Sequence, residues 1–148
     1  MRLLFFYFLL SSFIFTGCKD SKKEKFTIKK QEIAGNVQKT PLQESMARGK
    51  EIYSELCVTC HMGNGKGVPG AFPPLNPSNW LENKREESIH AVKYGLKGPI
   101  EVNGQDYNNV MMPLGLDDQE VADVMNYTVQ TWNSGEEITI DEVKAVQK

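Results

Sequence analysis

Residues 57–61 read Cys-Val-Thr-Cys-His, and this pentapeptide constrains the 148-residue chain more than any other segment. On a helix, Cys57 and Cys60 stand three positions apart and share one face, so both thiols address the same neighbour. His61 follows at once, four positions from Cys57. Two sulfurs can then hold one edge of a planar group while the imidazole turns beneath it. This spacing is that of c-type haem attachment, with Cys57 and Cys60 forming thioethers to the two vinyl groups and His61 binding the iron as proximal ligand.

Two other uses of a CxxC pair compete with this reading. A structural zinc site needs four ligands, and beyond the pentapeptide the only other cysteine and histidine are Cys18 and His90. A thioredoxin-like pair belongs between a strand and a helix, whereas an apolar helical pattern runs directly into Cys57.

Near the start of the chain Arg2 precedes an almost wholly apolar run, Leu3 to Phe15, followed by Thr16, Gly17 and Cys18. The run fits the apolar segment of an export signal and falls short of the roughly 20 residues a membrane-spanning helix needs. Small residues before Cys18 resemble the lipobox of bacterial lipoproteins, although Phe15 stands where leucine is usual. We therefore expect a signal over 1–17 and a lipidated Cys18; the alternative is an ordinary signal with a free thiol. Two thioethers and one anchor use all three cysteines and leave no disulfide.

Residues 18–39 are polar and lysine-rich, with the run Ser-Lys-Lys-Glu-Lys at 21–25, and read as a flexible linker. About 20 such residues reach roughly 25 Å, enough for a small domain to search the surface near its anchor. The whole chain has a formal net charge of −2, and removal of 1–17 subtracts only Arg2 among charged side chains. No basic stripe interleaved with aromatics occurs, which excludes nucleic acid as an expected partner.

The globular domain is expected over residues 40–135. Thr40 followed by Pro41 and Gln43 forms a capping box, and Met46, Gly49, Ile52, Tyr53 and Leu56 make one helical face. Gly49 on that face predicts close contact with another helix. Asp117 with Glu120 opens the last helix, whose face carries Val121, Val124, Met125, Thr128 and Trp132. Between them we expect a short helix opened by Asn76 and Pro77 through Leu81, a helix over 86–94 ended by Gly95, and a small hairpin turning at Asn103-Gly104 before Tyr107. Residues 136–148 read as a polar tail that frays or extends the last helix. A domain of this size has a marginal core of its own, so the haem would complete it against Phe72, Leu75, Trp80, Leu81, Val110 and Leu114.

A second axial ligand must come from Met112, Met111 or His90. Met112 is the expected choice, because Pro113 restrains the residue before it to an extended conformation and so presents one thioether in a fixed way. Met111 is the alternative, with edge packing as its other role. His90, beside Ile89 and Val92 in a helical stretch, reads as a helical side chain.

CVTCH, FPPLNPSNW at 72–80 and NGQDYNNVMMPLGLDDQEVADVMNY at 103–127 together resemble a class I cytochrome c, over nearly all of 41–133. The likeness is strongest to cytochrome domains that accompany quinoprotein alcohol dehydrogenases, copper nitrite reductases and haem-copper oxidases. Asn109 stands where many of these have glycine, and Met111 is an additional methionine. The resemblance implies an all-α fold with terminal helices crossing around one covalent haem c. It further implies that Gly49 and Tyr53 cross Val124 and Tyr127, and that the Pro73 carbonyl accepts a hydrogen bond from His61. Trp80 and Tyr107 would approach the haem propionates or pack in the core.

The function so implied is one-electron transfer between redox protein partners on the periplasmic side of a bacterial membrane, without catalysis by the chain itself. Haem attachment in the family takes place outside the cytoplasmic membrane, which agrees with export. Two further readings stand beside it: a fixed subunit of an oxidase, nitrite reductase or dehydrogenase, and a gas-sensing haem protein whose methionine dissociates.

Overall fold

The computed structural model describes residues 38–148. The expected export signal, Cys18 and all but the last two residues of the expected linker lie outside the described residues. Helix α1 (Pro41–Ile52) opens on a reciprocal cap: Thr40 Oγ1 accepts from the Gln43 amide at 3.2 Å, and Gln43 Oε1 accepts from the Thr40 amide at 2.9 Å. Two amides that a helix start leaves unpaired are thereby satisfied.

α1 does not stop at Ile52. It widens into a single π-type turn over Tyr53–Cys57, where the Val58 amide donates to the Tyr53 carbonyl five residues back, and resumes as α2 (Val58–His61). The extra residue in that turn re-aims the cysteines relative to the buried face of α1, a use to which such bulges are often put. α3 (Asn79–Asn83) begins two residues later than expected, because the Ser78 side chain accepts from the Leu81 amide and acts as the cap. α4 (Arg85–Tyr94) follows and ends at Gly95.

Strands β1 (Ile100–Val102) and β2 (Gln105–Tyr107) pair antiparallel, with Ile100 opposite Tyr107. Their two-residue turn, Asn103-Gly104, has φ of 52° and 77°, as the right-handed twist of a tight hairpin requires. α5 (Asp118–Trp132) repeats the reciprocal cap through Asp117 and Glu120, both bonds at 2.9 Å.

The most extensive helix pair is α1 against α5. Gly49 permits it: a Cβ there would overlap the Asp123 carbonyl and lie 2.9 Å from the Val124 nitrogen. Beside this crossing the buried Asp123 carboxylate accepts from Ser45 Oγ at 2.6 Å, from Arg48 Nε at 2.6 Å and from Gln119 Nε2 at 2.9 Å. Burial raises the Asp123 carboxyl, but the hydrogen bonds from Arg48, Ser45 and Gln119 outweigh it and hold the group below its ordinary range.

The C-terminal residues correct the expectation of a polar tail. After Asn133 the chain turns back and forms α6 (Ile140–Ala145), capped by Thr139, whose hydroxyl accepts from the Glu142 amide. Ile138, Val143 and Val146 are buried in one cluster with Ile89, Val121, Ala122 and Met125. Asn126 fixes the segment by donating to the Ile138 carbonyl at 3.0 Å and accepting from its amide at 2.7 Å. Arg85 adds an ion pair to Glu142 and donates to the Glu136 and Glu137 carbonyls. Burying three branched side chains and satisfying Arg85 is worth more than leaving the segment in water, so it docks.

Candidate functional site

The pentapeptide lies at one wall of two adjoining cavities with empty volumes of about 690 and 870 Å³. Both are lined by Cys57, His61, Pro73, Leu96 and Met111. The inner one extends to Tyr53, Trp80 and Leu81, to Ala91 and Val92 of α4, and to Val124 and Met125 of α5. The outer one opens past Cys60, Phe72, Tyr107, Val110 and Met112. No Asp, Glu, Lys or Arg lines either cavity, so the walls suit a large apolar group rather than an ion.

His61 is buried, and its Nδ1 donates to the Pro73 carbonyl at 2.9 Å. Burial lowers the imidazole below its ordinary value, and the Pro73 hydrogen bond only partly opposes this. The ring is therefore held neutral, with its proton on Nδ1 and the Nε2 lone pair free to bind iron. The loop that presents Pro73 is set by Gly67, whose φ of 62° lets it approach the carbonyls of Phe72 and Pro73 more closely than a Cβ would allow. Its amide donates to the His61 carbonyl at 3.0 Å, which ties that loop to the end of α2.

Cys57 and Cys60 are partly buried and form no disulfide. Burial pushes the Cys57 thiol up to about 11, with Cys60 adding to the shift. A redox-active CxxC pair needs the opposite displacement. Among the described residues, no group of three or more His, Cys, Asp or Glu side chains is arranged to hold a metal ion. Two thiols at the rim of an apolar cavity, with a neutral imidazole inside it, fit a covalently attached haem. The residues that would hold it are Cys57, Cys60 and His61. Haem supplies a reversible one-electron iron couple; the chain supplies ligation, burial and exclusion of water.

The other expected site residues divide. Trp80 lines the inner cavity with Lys84 over its ring at 4.3 Å, and Tyr107 is buried on the outer one, its hydroxyl donating to Gln105 Oε1 at 3.2 Å. Phe72, Leu75, Leu81, Val110 and Leu114 all line one cavity or both. His90 lies off both cavities, its ring 5.2 Å from that of Tyr94. Both candidate methionines line the outer cavity; Met111 also lines the inner one, while Met112, the expected ligand, touches only the outer one and is 66% exposed. Met111 is held there by a backbone pairing with Leu96, with hydrogen bonds of 2.8 and 2.9 Å.

Sequence reasoning overlooked the α4 wall. Ser88, Ala91 and Val92 line the inner cavity at spacings of three and one, a helical signal that was open to reading. Leu96 and Ile100 line both cavities from a loop and a short strand, where no periodicity marks them.

The family model described as cytochrome c matches residues 46–132. A cytochrome c-552 of Thermus thermophilus is 40% identical over 114 residues, covering 70% of this chain and 76% of its own length. The cytochrome c subunit of the quinone alcohol dehydrogenase of Gluconobacter oxydans is 33% identical over 90 residues, 58% of this chain and 18% of that subunit. The cbb3-type oxidase subunit FixP of Bradyrhizobium diazoefficiens is 27% identical over 99 residues, 62% of this chain and 33% of its own length. With the CxxCH residues at the cavity wall and a family match across α1 to α5, the chain belongs to the cytochrome c family: it is a monohaem class I c-type cytochrome, an electron carrier that binds haem c covalently.

Proposed function

We propose that this cytochrome passes single electrons through a six-coordinate haem ligated by His61 and Met111, at the end of a lipid tether on Cys18. The observation that carries the ligand assignment is that Met111 shares both cavities with His61, while Met112 shares only the outer one and is 66% exposed. Methionine favours ferrous iron, so this pair sets a higher potential than two histidines would. With both axial positions filled by the chain, reduced protein at neutral pH binds carbon monoxide slowly and incompletely. Rapid stoichiometric binding would instead favour a gas sensor.

Export and tethering rest on the apolar run before Cys18 and on the two small residues preceding it. Among the described residues no helix is long and apolar enough to cross a membrane. The intact mass of protein extracted from membranes tests the tether: a chain starting at an acylated Cys18 supports it, and an unmodified Cys18 refutes it. A place within a larger oxidoreductase is the second reading, because relatives include subunits of a quinone alcohol dehydrogenase and a cbb3-type oxidase. Gentle detergent extraction separates the two, since a stable stoichiometric complex would replace the free carrier with the subunit.

A further inference from the structure

The end of α4 meets the methionine loop at two points. Gly95 ends the helix at φ 83°, and a Cβ on it would lie 2.7 Å from the Met111 carbonyl oxygen and 2.9 Å from Pro113 Cδ. Leu96 then pairs with Met111 in both directions, its amide donating to the Met111 carbonyl at 2.9 Å and its carbonyl accepting from the Met111 amide at 2.8 Å. The helix end is itself fastened. Lys93 Nζ lies 2.9 Å from Asp118 Oδ1 at the start of α5 and donates to the Val143 carbonyl of α6, and the Tyr94 hydroxyl donates to the Val146 carbonyl at 3.3 Å.

We infer that Gly95 and Leu96 are positioning residues that hold the Met111 thioether against the haem iron, so that the strength of the iron–sulfur bond is set by the end of α4. The inference rests on Met111 as the ligand. A methionine on a long unpaired loop would leave and return freely, because nothing but the bond itself would oppose loop motion. Here two backbone hydrogen bonds fix its Cα, and only glycine at 95 lets the two segments of this bridge approach. The C-terminal segment, outside the family match at 46–132, reaches the ligand loop through Lys93 and Tyr94.

Gly95→Ala tests this, with Gly98→Ala as its control. Gly98 also has a positive φ, 97°, but a Cβ there meets nothing within 4 Å. Both variants carry the left-handed backbone cost, while only the first disturbs the bridge. Measured in the ferric holoprotein, Gly95→Ala should weaken the red charge-transfer band of methionine-bound haem and tighten imidazole binding by roughly tenfold, about the loss of one hydrogen bond of the bridge. Its potential should fall as well. Gly98→Ala should leave all three unchanged. Equal effects of the two variants, or none from Gly95→Ala, would overturn the inference.

If Gly95→Ala fails to take up haem, amide exchange in the unaltered holoprotein decides the matter. The Leu96 and Met111 amides should be protected and should lose protection together when imidazole displaces the methionine, while Val124 on α5 stays protected. Unprotected amides, or amides indifferent to imidazole, would refute the brace. Met111→Ala separates ligation from positioning. A band that survives in Met111→Ala overturns the ligand reading; a band lost there but intact in Gly95→Ala overturns only the positioning role.

Discussion

Replacement of Asn126 by alanine should be among the most damaging single changes outside the haem cavity. Its side chain is buried and joins α5 to both ends of the domain, donating to Ser45 Oγ and the Ile138 carbonyl, each at 3.0 Å, and accepting from the Ile138 amide at 2.7 Å. Asn126→Ala leaves the amide and carbonyl of Ile138 unpaired where that residue is only 2% exposed. Each such group costs about 1–3 kcal/mol. Ser45 keeps Asp123 as its acceptor, so its loss adds little. The sum is about 2–6 kcal/mol, a large part of the roughly 5–15 kcal/mol that holds a domain folded. Urea denaturation of the holoprotein, followed by far-ultraviolet circular dichroism, reads this as a lower midpoint at unchanged slope. Ile138→Val, which trims one methylene from the same place, should cost about 0.5–1.5 kcal/mol. A cost below about 1 kcal/mol for Asn126→Ala, no greater than that of Ile138→Val, would refute the claim that these bonds anchor the C-terminal segment.

Asp123 gives the pH dependence. Its folded pKa is depressed, so its contribution is fully present above the unfolded value near 3.9 and is lost as pH falls through the lower folded value. Between about pH 5 and 2 the unaltered protein should therefore lose stability more steeply than Asp123→Asn; parallel denaturation curves would refute this. The carbon monoxide and intact-mass measurements proposed above test the closed iron site and the acylated Cys18, respectively.

Much of this architecture was legible because its signals are local. The two reciprocal caps at Thr40 and Asp117 bond residues three apart, and the Asn103-Gly104 turn is dictated by its own backbone, so neither needs knowledge of the rest of the fold. Gly49 was legible because a glycine on an apolar helix face has few other uses. The C-terminal segment was not, since Ile138, Val143 and Val146 are spread through otherwise polar sequence with no continuous helical stripe. A Thr-x-x-Glu pattern at 139–142 was the one available sign of α6. The widening of the helix at Tyr53 has no sequence signature that we can identify.

The methionine order shows the limit most clearly. The Met112-Pro113 step favours a fixed extended pose, a true local restraint. What places Met111 at both cavities is its pairing with Leu96, fifteen residues earlier, and neither residue type announces it.

The direct test of the iron site is the red charge-transfer band of the ferric protein in two variants. Met111→Ala should abolish the band and lower the reduction potential, while Met112→Ala should retain the band. Loss of the band in Met112→Ala with its survival in Met111→Ala would contradict the account at its centre.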